Sequence, residues 1–162
     1  MLYDYGLKTL FPDNVDDSST TQQNGLGIIR FEGNKEYRYV QVVDKALAAG
    51  DVACIASTAD GIVTADVSGG SQVAAMARGV AVVAIASGSY GWIQTKGVCT
   101  INCDGTVVTG SGLVPSASTD GVATVVNAAS DAANTEYKIF GFALTQDSGT
   151  TNGTATAYIN CP

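Results

Sequence analysis

The chain contains no histidine. That removes the commonest general base and the commonest nitrogen ligand for a metal, so a serine or cysteine nucleophile would lack its usual activating partner. Charge is scarce as well: eight Lys and Arg stand against fifteen Asp and Glu in 162 residues, a formal net charge of -7. The basic residues are scattered, and without a concentrated basic face the chain is not expected to bind nucleic acid through its phosphates. Long apolar runs are missing too. Arg78 interrupts the best of them just before Val80, far short of the ~20 residues a membrane helix needs. The opening MLYDYGLKTLFPD has neither the basic start nor the apolar stretch of a signal peptide, so the expectation is a soluble protein made in the cytoplasm and not exported by that route.

Cysteine is sparse, and its spacing excludes the commonest sites. Cys54, Cys99, Cys103 and Cys161 form no CxxC pair, the arrangement expected of a zinc site. On one strand Cys99 and Cys103 would lie about 13 Å apart, beyond the ~7 Å that a disulfide spans. A bend between Asn102 and Gly105 would relax that limit. The four are read as small buried hydrophobes; no metal and no cofactor is expected.

What is present is 46% hydrophobic sequence with 19 Gly and few strong helix formers beyond alanine, a composition suited to short strands and tight turns. At this length one domain buries roughly 70% of the surface of its unfolded chain. The apolar runs YRYVQVVD, DVACIAS, GIVTADV, GVAVVAIA, GWIQT, YKIFGFAL and TATAYIN are short, β-branched and bounded by turn residues, which predicts strands. The alanine-rich pieces at 45–50 and 126–134 read as loops or single helical turns. The expected fold is all-β, a small barrel or sandwich of short strands over residues 28–162, preceded by an extended arm over residues 1–27. The arm opens with Tyr3, Tyr5, Leu7, Leu10 and Phe11 and then turns polar. It cannot build its own core, so it either docks on a partner or covers an edge of its own domain.

An internal echo runs through the barrel sequence. GDVACIASTADGIVT from Gly50 aligns without a gap on GSGLVPSASTDGVAT from Gly110, and GVAV at 79–82 echoes GFAL at 141–144. If one β-unit is used twice, matched positions have matched structural jobs.

Motifs that could carry chemistry are thin. Asp147-Ser148-Gly149-Thr150 fits the loop of aspartic proteases, whose chemistry needs two carboxylates sharing a proton. There is no second copy, and the echo places the motif at a hairpin turn, where Asp and Gly serve the backbone. Asp13, Asp16 and Asp17 lack the spacing of a calcium loop, and Gly25-Leu26-Gly27 has Arg30 where a dinucleotide fingerprint has its third glycine. Asn152-Gly153-Thr154 is a formal glycosylation sequon. In GVAVVAIASGSYGWIQTKG, residues 79–97, the first run is apolar on both faces and predicts a central strand. Ser87 to Gly91 form the turn, and Trp92 falls on the return strand. A large aromatic there is expected to be a packing or subunit-contact residue rather than a ligand platform.

That stretch, with the preceding KALAAGDV and the later KIFGFAL, resembles the capsid decoration, or cement, proteins of tailed bacteriophages, over about residues 36–144. The resemblance implies a compact β-barrel on the outer face of the phage head, an arm lying over neighbouring capsid subunits, and assembly as a homotrimer or, in some phages, a dimer. Gly50-Asp51-Val52, Gly79-Val80-Ala81 and Trp92-Ile93-Gln94-Thr95-Lys96-Gly97 would be scaffold positions, and Tyr3, Tyr5, Leu7 and Phe11 candidate capsid contacts. The implied partners are the major capsid protein and further copies of this chain, with no catalytic residue, nucleic acid or membrane. Two other classes stand beside it: a glycan-binding or adhesive β-module, which needs exposed aromatics, and a dimeric aspartic hydrolase, which needs Asp147.

Overall fold

In a computed structural model the described residues are 11–67, 76–126, 139–147, 149 and 153–161. Among them there is no helix. The strands are β1 (Ser18–Ser19), β2 (Ile29–Glu32), β3 (Lys35–Val42), β4 (Val52–Ile55), β5 (Ile62–Thr64), β6 (Ala77–Ala81), β7 (Tyr90–Cys103), β8 (Gly112–Pro115), β9 (Ala123–Val125), β10 (Gly141–Ala143) and β11 (Gly153–Asn160). The all-β expectation holds, and the pairings close into a ring twice. In the first ring β7 pairs with β3, β3 with β5 in parallel, β5 with β4, β4 with β6, and β6 again with β7. In the second, β7 pairs in parallel with β9, β9 with β8, β8 with β10, β10 with β11, and β11 again with β7. Two five-stranded barrels therefore share one 14-residue strand.

The echo in the sequence is an echo in space. Each barrel opens with a glycine in the left-handed region, Gly50 at φ 85° and Gly110 at φ 86°, and each of these donates its N–H to the closing strand, at Ala81 O and Ala143 O. The bridge Leu47↔Ile85 in the first barrel matches Val107↔Asp147 in the second. Alternation along the strands sets the two interiors. Val40, Val42, Leu47, Ala53, Val63, Ala81, Ile85 and Ile93 fill the first, and Ile101, Cys103, Val107, Leu113, Ala123, Ala143, Ala155 and Ala157 the second.

β7 serves both barrels because it changes register midway. Glu36 pairs with Lys96 but Tyr37 with Gln94, so Thr95 is the extra residue of a bulge. Thr95 is buried, its Oγ1 donating to Glu36 Oε1 at 2.9 Å. Gly97 follows at φ 102°, where a Cβ would lie 2.9 Å from Asn34 O, and the Gln94 amide donates to Lys96 O and Val98 O across the bend. Val98 to Cys103, carrying Thr100 and Asn102, then continue as strand; the sequence reading had no strand there. It also missed β2, and it ran the strand from Val80 on to Ala86, whereas β6 ends at Ala81. Residues 45–50 form a loop bridged at Leu47; 127–134 lie outside the described residues.

Candidate docking surfaces

The outer walls of the two barrels are built alike and finished differently. In the first, side chains pointing away from the barrel interior form the rows Tyr37–Gln94–Val80, Tyr39–Trp92 with Val82 beside it, and Gln41–Tyr90. In the second the matching rows are Val98–Tyr158–Phe142, then Thr100–Thr156 with Leu144 beside them, then Asn102–Thr154.

The first wall is covered by the chain itself. From Phe11 on, the N-terminal stretch returns across it, and β1 pairs Ser18 with Gly91 and Ser19 with Tyr90. Phe11, Val15 and Leu26 pack on Tyr37, Tyr39 and Trp92. The Trp92 ring meets Phe11 edge-on at 5.3 Å and Tyr39 at 5.1 Å, and it is 0% exposed. Its indole Nε1 donates to Asp13 Oδ2 at 3.1 Å, so the buried donor is satisfied. Arg30 ties the strap down: its guanidinium lies 5.2 Å from the Phe11 ring centre and 5.7 Å from that of Trp92, and it donates to Asp13 O at 2.8 Å. Tyr39 Oη accepts the Gln23 N–H at 3.0 Å, and burial raises the pKa of that phenol. Trp92 is thus a packing residue of its own chain. Phe11, a candidate capsid contact, is half-buried on it; Tyr3, Tyr5 and Leu7 lie outside the described residues. Sequence reasoning missed Asp13, Arg30 and Tyr39, whose roles depend on the strap's path.

Among the described residues no segment covers the second wall. Phe142 is 54% exposed, Leu144 46%, Val98 44% and Tyr158 42%, and the rows they form carry no charged residue. Beside it, where the barrels meet, lies a cleft of about 340 Å³ lined by Lys35, Val80, Gln94, Thr100, Asn102 and Thr154 among others. None of its described lining residues is aromatic.

The joint between the barrels holds the Gly50-Asp51-Val52 step. Asn102 Nδ2 donates to Asp51 Oδ1 at 2.8 Å and to Ala49 O at 3.0 Å, while Val52 N donates to Gly121 O. Burial raises the pKa of Asp51. Across the same joint Lys45 pairs with Asp120, whose carboxyl is held below its ordinary pKa by that partner. All four cysteines are free thiols. Cys54, Cys99 and Cys161 pack into the apolar cluster that runs through the joint, and Cys103 points into the second barrel. Burial pushes the thiols up, to about 12 for Cys54 and Cys99 and about 11 for Cys103, and raises Cys161 as well. Thiols so far from ionising are poor nucleophiles and poor metal ligands.

Asp147 sits where the first barrel has Ile85, in the connection from β10 to β11. Its Oδ1 accepts the Gly149 N–H at 2.9 Å, as an Asx turn does, and its buried Oδ2 has no hydrogen-bond partner among the described residues. Ser148 and Thr150 of the motif lie outside the described residues.

No family model matches the chain, and no curated protein matches it in sequence. The fold does have a solved counterpart: the head fiber gp8.5 N base of bacteriophage phi29 is similar to this chain with a TM-score of 0.50 and 15% identity, covering 76% of this chain and 92% of that one. At that identity the likeness is one of fold.

Proposed function

We propose that this chain is a structural protein of a tailed-phage particle that binds the outer surface of the head and reinforces it. The observation that carries the reading is the fold shared with nearly the whole of a head-fiber base; the Gly50-Asp51-Val52 and Trp92 to Gly97 motifs, which resemble decoration proteins, support it independently. Such a protein works by linkage. It binds the assembled shell and not free capsid subunits, so each bound copy stabilises the shell according to its affinity and free concentration. Weak contacts suffice where several act from one assembly. A chain of net charge -7 is not drawn to a packaged genome. In this reading the major capsid protein is the partner, Tyr3, Tyr5 and Leu7 reach it from the arm, and no residue is catalytic. The glycan-binding alternative loses its main aromatic, since Trp92 is covered.

The test is co-sedimentation with expanded and unexpanded heads. Stoichiometric binding to expanded heads, with a rise in their melting temperature, is expected. A chain that stays in the supernatant at saturating concentration overturns the proposal.

A further inference from the structure

We infer that the cleft between the barrels binds an acidic sugar, a single pyranose ring bearing a carboxylate, through Lys35. The cleft is about 340 Å³, and among its described lining residues the half-buried Lys35 is the one that carries charge. Its stem lies over Gly97 at the bend of β7, where a Cβ would come within 3.3 Å of Lys35 Cγ. Arg30, Arg38 and Lys45 are paired with Glu32, Asp60 and Asp120. Lys35 has no such carboxylate among the described residues, although the chain holds fifteen acidic residues against eight basic ones. Charges withdrawn from water are ordinarily paired, so an unpaired, half-buried cation in an acidic chain marks a place for an external anion.

The neutral groups of the cleft decide what kind of anion. Both amide hydrogens of Gln94 are spent on Lys96 O and Val98 O, and both of Asn102 on Ala49 O and Asp51 Oδ1. These two side chains therefore offer the cleft carbonyl oxygen, which accepts and cannot donate. Thr100 and Thr154 add hydroxyls, which do both. The matching ligand carries one negative charge for the ammonium, several O–H groups for the acceptors, and a face of C–H groups for Val80 and Val82 on the apolar side of the cleft. A carboxylated sugar has all three on one rigid ring. An Asp or Glu side chain of a protein partner brings the charge without the hydroxyls, and a phosphate brings more charge than a single ammonium balances. The volume stands at the lower end of the about 300 to 1,000 Å³ of ligand pockets, which suits one ring. The site needs no aromatic platform and does not involve Trp92. It goes beyond the virion reading and stands without it.

Amide-detected NMR titration of the full chain with glucuronate tests it, with glucose, acetate, N-acetylglutamyl amide and glycerol phosphate as comparison probes. Glucuronate should give saturable shifts at the backbone amides of Thr100 and Asn102 and at the Gln94 side chain, and each of the other probes should bind about tenfold more weakly or not at all. Lys35→Met should lower the affinity for glucuronate about tenfold or more, as loss of a charge-assisted hydrogen bond does. Lys96→Met, which removes an exposed cation of the same hairpin outside the cleft lining, should bind like the wild type. If Lys35→Met fails to fold, Thr100→Asp decides: Thr100 is exposed, and a carboxylate there should abolish binding by repelling that of the sugar. No saturable shift with glucuronate, equal binding of glucose or acetate, or affinity kept in a folded Lys35→Met or in Thr100→Asp overturns the inference. Binding of N-acetylglutamyl amide or glycerol phosphate as tight as that of glucuronate also overturns it, and makes Lys35 an anchor for an acidic peptide or a phosphate instead.

Discussion

The two barrels are the same strand plan run twice through one strand, and they differ in how each finishes its outer wall. The first spends aromatic residues there and closes over them with its own chain; the second carries Thr100, Thr156 and Val98 where the first has Tyr39, Trp92 and Tyr37. Repetition of a fold does not repeat the surface. The interior positions of both barrels must be apolar and small enough to fit, whereas an outer wall is free to become core, cleft or contact according to what lies on it.

The largest test of that contrast is a pair of matched substitutions. Trp92→Ala removes a fully buried ring together with its contacts to Phe11 and Tyr39 and its bond to Asp13, and is expected to cost about 3 to 5 kcal/mol in urea unfolding. Thr156→Ala, at the matching place, should stay within about 0.5 kcal/mol, as surface changes do. Equal costs would mean that the second wall is also covered in the folded chain. Next in size is an alkaline effect inside the second barrel, where Cys103 stands in the place of Val42. Its folded pKa of about 11 exceeds the ordinary 9.0. The folded state therefore holds the proton longer, so the contribution is whole below about pH 9 and is lost as pH rises towards 11, by up to about 1.4 kcal/mol per unit. Cys103→Val should flatten the fall of stability above pH 9; an unchanged slope would assign the loss to the other thiols or the tyrosines.

Much of this architecture was legible in the sequence because glycine marks backbone that other residues resist. Gly50 and Gly110, at equal φ in two barrels, anchor the gapless echo, and the turn before Trp92 placed the indole on a return strand. The joint was not legible. Thr100 and Asn102 interrupt the apolar pattern of β7, since they face outward there, and a bulge at Thr95 shifts the period on which strand reading depends. Closure of the second barrel is masked by Ala143, Ala155 and Ala157, small residues that carry little hydrophobic signal although they line an interior. The strap was open between partner and self, because its contacts with Trp92 join residues far apart in sequence, Asp13 to Trp92 and Phe11 to Trp92.

The anchoring glycines give a third matched pair. Both positions have the left-handed backbone, so alanine at either is strained by about 1 kcal/mol. At Gly50 a Cβ would also lie 2.9 Å from Asn102 Oδ1, while at Gly110 it meets open space. Gly110→Ala is expected to cost about 1 kcal/mol and Gly50→Ala about 2, the excess reporting the displaced Asn102 bonds to Ala49 and Asp51 that pin the barrels together. Thermal unfolding of both variants checks the order; a larger cost at Gly110 would place the weight of the joint elsewhere.

The smallest expected effect has the opposite sign. Asp147 occupies the place of Ile85, and its Oδ2 is buried without a partner among the described residues. A buried polar atom left unpaired costs about 1 to 3 kcal/mol, and the atom sits over Gly153, where a glycine leaves the room it needs. Asp147→Asn keeps the Oδ1 acceptor for the Gly149 N–H and removes the carboxylate charge from that site. It should therefore stabilise the chain, by about 1 kcal/mol or less, since the new amide still needs an acceptor. The same variant bears on the hydrolase reading, in which Asp147 is the one indispensable carboxylate. A gain in urea midpoint makes the residue a strained substitute for isoleucine in a repeated scaffold. A loss of stability, or loss of an acid-dependent peptidase activity present in the wild type, would show that the second barrel departs from the first at this position for a reason other than drift of a repeated unit.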